Sequence, residues 1–226
     1  RFKHAGIYTP EYQPDLDFED HVWEESRGMG FSYGYNREED AWDYNSTQSL
    51  VLQLIDKVSR GGNFLLDIGP DEHGKIPPIM QERLLQIGDW LKINGEAIYG
   101  TRKWKNAVQW SAGKQTDGNT YKKEKKLSYL GGDFILKQTT NPDAGDAVKE
   151  IFFTTKGSTI YAILPKWSSN GKVIIKGLHL SNQKVSLLET GEVLKFKNTG
   201  NNVEVSLPAF DPNKIKSQYA YVLKID

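Results

Sequence analysis

Cysteine is absent from the 226 residues, so there are no disulfides, thiol nucleophiles or thiolate metal ligands; the absence leaves the compartment open. Histidine is scarce. His4, His21, His73 and His179 are scattered without the spacing of a ligand set, so no metal site and no cofactor are expected. Neither sign of charge is in surplus, since 29 Lys and Arg offset 29 Asp and Glu. With no long basic run, the sequence carries no electrostatic footprint for nucleic acid. The KKEKK stretch, Lys122 to Lys126, reads as a solvated turn or strand edge. No apolar run reaches the roughly 18 residues that a membrane span needs, so no membrane partner is expected. Internal repeats and low-complexity segments are also missing. What remains, 38% hydrophobic and 26% charged residues, suits a globular chain long enough to bury one large core or two small ones.

One stretch departs from that ordinary background. Thr9 to Asn36 crowds Glu11, Asp15, Asp17, Glu19, Asp20, Glu24 and Glu25 among Tyr12, Phe18, Trp23, Phe31, Tyr33, Tyr35 and several glycines. It has neither helical nor strand periodicity, yet it is too aromatic for a solvated linker. Carboxylates bond hydroxyls and move protons, rings cover the apolar C–H face of a sugar, and burial by rings raises a carboxyl pKa toward the range of an acid catalyst. That combination points to carbohydrate. A long acidic surface loop packed by its own aromatics accounts for the same composition.

The remainder divides into two grammars. Residues 1–30 read as irregular, with a short strand around Ala5 to Tyr8, and Phe31 to Asn36 as a short strand or loop wall. Asn45-Ser46-Thr47 then supplies capping residues for a stripe of Leu50, Val51, Leu54, Ile55 and Val58 that Gly61-Gly62 ends, predicting an amphipathic helix. Asn63 to Pro70 is a short apolar run between helices, the pattern of a parallel strand buried on both faces. Pro77-Pro78 opens a second helix with Met80, Leu84, Ile87 and Leu91 on one face, closed at Asn94-Gly95. After about Gly100 come strand-like runs only: Leu127–Leu136, Glu150–Thr155, Thr159–Leu164, Lys172–Ile175, Lys184–Leu188, Val193–Phe196, Val203–Leu207 and Gln218–Ile225. Many short strands without helices predict an antiparallel sandwich. The fold class is therefore α/β followed by all-β, with a boundary near residues 99–105.

The run SRGGNFLLDIGPDEHGKIPPIMQERLLQIGDWLKINGEAIYGT resembles a block of the family 29 glycoside hydrolases, the retaining α-L-fucosidases. WEESRGMGFSYGYN is similar to that family's Trp-Glu and Ser-aromatic-Gly-Tyr motifs, and TPEY to another of its segments. The resemblance implies that residues 1–100 are the C-terminal portion of a (β/α)8-like catalytic barrel and residues 101–226 a C-terminal antiparallel β-sandwich. It implies double-displacement hydrolysis of terminal α-L-fucosyl linkages in fucosylated glycans. The nucleophilic aspartate would lie on an earlier strand outside this segment, so the N-terminal half of the catalytic domain is expected as a partner and the chain alone is expected to be inactive. The same fold without the chemistry, a non-catalytic fucose-binding protein, is the alternative. A periplasmic or secreted location, lysosomal in an animal, follows from the resemblance only.

Retaining glycosidases use two carboxyl groups about 5–5.5 Å apart, one as nucleophile and one as acid/base. By resemblance Glu24, in the Trp-Glu motif, is the first candidate for acid/base and Glu11, in TPEY, the second. Trp23, Glu25 and Tyr33 are the expected substrate-binding residues, Tyr33 as a wall for the fucose methyl group. Asp67, where the family more often has asparagine, reads as a structural hydrogen-bonding residue. Trp42 and Tyr44 are rim candidates. Trp104, Trp110 and Trp167 could form a sugar platform in the sandwich, with core packing the default for each.

Overall fold

The structure, a computed structural model, describes residues 6–13, 21–126 and 134–226. Of the acidic-aromatic stretch, Asp15, Asp17, Phe18, Glu19 and Asp20 lie outside the described residues, as do His4, Ala5 and most of the expected strand Leu127–Leu136.

Two parallel strands open the described chain, β1 (Glu24–Gly28) and β2 (Asn63–Asp67), with Glu24 opposite Asn63 and Gly28 opposite Asp67. Along the other edge of β1 runs the 8–12 segment, also parallel, through bridges Tyr8–Trp23 and Glu11–Ser26. Helix α1 (Thr47–Ser59) joins the parallel strands β1 and β2 as a βαβ unit, capped by the Ser46 hydroxyl accepting from Ser49 N–H. Helix α2 (Pro78–Asn94) follows β2, starting at a proline whose missing N–H costs nothing at that position. Paired residues of neighbouring strands share a face. Leu66 packs in a cluster with Leu50 of α1 and Met80 of α2, so Phe64, Leu66, Glu25 and Arg27 face the helices. Asn63, Leu65 and Asp67 with Glu24, Ser26 and Gly28 make the opposite row. The expectation that β2 is buried on both faces fails there: Leu65 is 46% exposed, because the strands that would cover this concave face are not among the described residues.

From Arg102 onward the chain is β-rich. Strands β3 (Arg102–Trp110), β4 (Lys149–Lys156), β5 (Thr159–Leu164), β10 (Tyr221–Ile225) and β7 (Val185–Leu187) form one antiparallel sheet in that spatial order. Strands β6 (Lys172–Lys176), β9 (Asn202–Ser206) and β8 (Phe196–Thr199) form the other. Ile151, Phe153, Ala162, Leu164, Leu223 and Ile225 point between the sheets and meet Val173, Ile175, Val203 and Val205. Their neighbours Phe152, Tyr161, Ile163 and Val222 point the other way, onto Val51, Leu52 and Ile55 of α1 and Trp90 of α2. The larger sheet is thus buried on both faces, by its sister sheet and by the helices, which is why IFF and AIL are continuously apolar. Two short helices, α3 (Gly118–Glu124) capped by Asp117 and α4 (Phe134–Lys137), sit between β3 and β4. Phe134–Leu136 is therefore helical, not the end of the expected strand.

Polar ties cross between helices and sheet. Trp90 Nε1 donates to the Ala220 carbonyl at 3.0 Å, and Asn94 Nδ2 to Ser217 Oγ at 2.8 Å. Trp90→Phe keeps most of the ring volume but orphans that buried carbonyl. It should cost about 1–3 kcal/mol, read as a lowered urea midpoint at unchanged m.

Candidate active site

Ligand sites of parallel α/β barrels collect at the C-terminal ends of the strands. Here those ends are Gly28 and Asp67, and both are covered by the residues 29–44 that follow β1. The loop closes at its base: the Met29 carbonyl accepts from the Asn45 backbone N–H at 3.0 Å and from Asn45 Nδ2 at 2.7 Å. Two glycines let it lie flat. A Cβ on Gly28 would run into the Ser32 carbonyl, and one on Gly69 into the backbone nitrogen of Tyr35. At the far side Arg37 pairs with Glu72 at 2.9 Å, tying the loop to the turn after β2.

Tyr33 leans back from this loop over β1. Its hydroxyl is hydrogen-bonded to Ser26 Oγ, and its ring meets Tyr12 edge-on at 6.2 Å. Tyr12 in turn accepts the Gly28 N–H at 3.0 Å, and burial pushes its phenol pKa upward against the opposing pull of that bond and of Arg27. Tyr33 stays 40% exposed. An apolar ring at the strand ends with its hydroxyl already engaged is a suitable wall for a methyl group.

Glu39 is the carboxylate that the sequence pattern does not single out. Its Oε1 accepts the Ser32 N–H at 2.6 Å, whereas Oε2 is buried and, among the described residues, has no hydrogen-bond partner. The Tyr44 phenol beside it is shifted upward, first by burial and then by the Glu39 charge. A buried, unsatisfied carboxylate oxygen costs about 1–3 kcal/mol.

The residues singled out from the sequence fall in different places. Glu11 is exposed on the edge segment, level with Ser26. Glu24 opens β1, so roughly 13 Å of strand separates it from Gly28 at the other end. It is half-buried and lines a groove of about 960 Å³ with Phe64, Arg60, Tyr99 and Lys103. Strand direction puts Glu24 at the N-terminal end of β1, away from Gly28 and Asp67. Glu25 and Trp23 lie on the helix side of β1. Glu25 is fully buried on the helix side, bound by Arg27 through Nη2 at 2.6 Å and Nε at 2.9 Å. Trp23 is fully buried on the same side, its indole lying where a Cβ on Gly62 would be. Neither reaches the open face. Lys57 joins this buried group, and desolvation lowers its pKa against the raising influence of Glu25 and Asp56. Trp42 is 92% exposed on the loop, while Tyr44 is buried beneath it. Among the described residues no group of His, Asp and Glu side chains is arranged to hold a metal ion, and no helix is long and apolar enough to cross a membrane.

This arrangement can be set against proteins of known kind. The family model described as alpha-L-fucosidase matches residues 1–96, and that of the alpha-L-fucosidase C-terminal domain matches residues 145–226. The chain belongs to the α-L-fucosidase family. Tissue alpha-L-fucosidase of Homo sapiens is 32% identical over 227 residues, covering 98% of this chain and 41% of that protein. An alpha-L-fucosidase of Dictyostelium discoideum is 43% identical over 128 residues, 54% of this chain and 27% of that one. Among solved structures, the α-fucosidase of Thermotoga maritima in complex with fucose superposes with a TM-score of 0.71 at 32% identity, over 99% of this chain and 43% of that one. The chain thus spans about two fifths of the length of these fucosidases. Its parallel βαβα unit is the C-terminal part of their barrel, and its paired antiparallel sheets are their C-terminal sandwich.

Proposed function

We propose that the polypeptide carrying this chain is a retaining α-L-fucosidase that removes terminal α-L-fucose from fucosylated glycans, the chain supplying the acid/base half of the mechanism. The nucleophilic aspartate belongs to the part of the barrel outside the chain. That N-terminal half docks on the exposed Asn63 and Leu65 and the 8–12 edge. The observation that supports this reading is the loop over the C-terminal strand ends, which carries both the partly exposed Tyr33 ring and the Glu39 carboxylate. Glu39 becomes the first candidate for acid/base, with Glu11 second because it lies on the edge segment, and Glu24 third because it lies at the far end of β1. In the first step this carboxyl gives its proton to the departing glycosidic oxygen while the aspartate attacks the anomeric carbon. In the second the carboxylate takes a proton from the water that hydrolyses the fucosyl-enzyme. A secreted, periplasmic or lysosomal place agrees with such substrates.

The test compares leaving groups. In the complete enzyme, Glu39→Gln should lower kcat/KM about 100-fold or more on a fucoside with a poorly departing alcohol, and far less on an activated aryl fucoside that needs no protonation. Azide should partly restore turnover of the activated substrate. The same pattern in Glu11→Gln or Glu24→Gln, with Glu39→Gln unaffected, would transfer the role. Failure of a 2-fluoro-fucosyl reagent to label the parent enzyme would favour a carbohydrate-binding protein without the chemistry.

A further inference from the structure

A groove of about 430 Å³ opens at the corner of the sandwich where β3 and β6, edge strands of the two sheets, come together. Leu164, Pro165, Val173 and Ile174 give it an apolar lining, and Trp167 adds an indole. That ring is held in place, meeting Tyr221 edge-on at 5.0 Å and Phe210 at 5.5 Å. The other two tryptophans raised from the sequence as sugar contacts are engaged elsewhere. Trp104 packs on Phe153 at 4.8 Å, Trp110 lies 5.5 Å from the Lys149 ammonium, and neither lines the groove.

The polar side comes from β6. As an edge strand it turns the backbone groups of Lys172, Ile174 and Lys176 away from β9. Most are already taken. Ser168 Oγ donates to the Lys172 carbonyl at 2.7 Å, and Asn170 Oδ1 accepts the Lys172 N–H at 3.0 Å. Gln109 Nε2 donates to the Ile174 carbonyl at 2.8 Å, and its Oε1 accepts the Lys176 N–H at 2.9 Å. The Ile174 N–H is left without a partner among the described residues. An added peptide strand needs a continuous row of free edge groups, so these side chains bar one. What the edge offers is a single donor near an indole, with the exposed Glu150, Lys166 and Asn170 around it. A sugar ring matches that set: its C–H face lies on an aromatic ring, and each hydroxyl both donates and accepts. The bonds of Ser168 and Asn170 brace the loop that carries Trp167, which lowers the ordering cost of binding. We infer that this groove is a carbohydrate-binding site of the sandwich, holding an unfucosylated stretch of a glycan chain with one pyranose ring on Trp167. The inference does not rest on the reaction proposed above.

The experiment titrates the complete polypeptide calorimetrically with two oligosaccharides that lack fucose, N,N′,N″-triacetylchitotriose and lacto-N-tetraose. The parent is expected to bind at least one of them, and Trp167→Ala to weaken that binding about 10-fold or more. Trp167 also packs against Tyr221 and Phe210, so a second variant guards against loss of fold. Ile174 is 49% exposed, and Ile174→Arg lays a long side chain across the groove without disturbing the core; it should melt with the parent and bind about 10-fold more weakly. Tyr33→Ala, on the loop over the strand ends, should leave the affinity unchanged. Absence of binding to both oligosaccharides in the parent overturns the inference. So does parent-like affinity in Ile174→Arg, parent-like affinity in a folded Trp167→Ala, or loss of binding in Tyr33→Ala, which would place the sugar over the strand ends instead.

Discussion

Asp56→Ala is expected to destabilise the protein by about 3–5 kcal/mol, a fall of roughly 10 °C in melting temperature for a chain of this size. Asp56 is buried in α1, and its Oδ1 is bonded at 2.8 Å by Lys149 Nζ of β4 and at 3.2 Å by Arg60 Nε. Burial alone would raise the carboxyl; the charges of Arg60, Lys149 and Lys57 outweigh it and hold the group well below the usual carboxylate range. The alanine variant removes the carboxylate that Lys149 Nζ, on a side chain 1% exposed, is bonded to in the interior. Because the folded carboxyl is the stronger acid, its contribution is complete above the pKa of an unfolded aspartate, near 4. The contribution fades as the pH falls below that and protonates the folded carboxyl. The gap between parent and variant, measured by urea unfolding, should accordingly be widest near neutrality and narrow below about pH 4. Asp56→Leu combined with Lys149→Met should recover most of the loss, since removing both charges removes the penalty as well. A loss below about 1 kcal/mol for Asp56→Ala would mean that the two charges are hydrated and the tie is superficial.

Gly69→Ala is the second large effect. Here the added carbon would fall on the backbone of Gly34 and Tyr35, which cannot rotate away. Either β2 and the loop separate or the loop repacks, at a cost of about 1–3 kcal/mol or above. The signature is local: protection of amide hydrogens should collapse across residues 30–39 and persist in the two sheets of the sandwich. If the proposed fucosidase reading holds, turnover of activated and poor fucosides by the complete polypeptide should fall alike, because Tyr33 and Glu39 are displaced together. Uniform loss of protection through the sandwich would show that the glycine serves global packing instead.

These outcomes depend unequally on what can be read from the letters alone. Both long helices are plain in the sequence because their apolar residues repeat at helical spacing, and Ser46 and Pro78 mark the starts. The apolar β2, β5 and β9 are as legible. Strand β1 is not, because EESRG has no alternation of apolar and polar residues; what makes it a strand is tertiary, the Glu25–Arg27 pairing and a berth between two parallel neighbours. Strand β3, RKWKNAVQW, is hidden by polar residues and by register shifts between Lys103 and Val108. The Asp117 cap announces α3, but its helix is too short for a periodic signal. The family motifs single out Tyr33 and Glu24 alike; that Glu24 lies at the N-terminal end of β1 follows only once strand direction is known. Glu39 lies in the charged run REED, where nothing local separates it from Glu38 or Asp40.

The pairing of Asp56 with Lys149 joins residues 93 positions apart. At about 5–20 residues per second of synthesis, the aspartate leaves the ribosome some 5–20 s before the lysine. During that interval α1 has Arg60 but not its second cation, nor the apolar sheet face that covers it. The last third of the polypeptide therefore acts as an internal clasp for a βαβα unit already made, and a nascent chain halted before β4 should be far more open to proteases than its length alone would suggest.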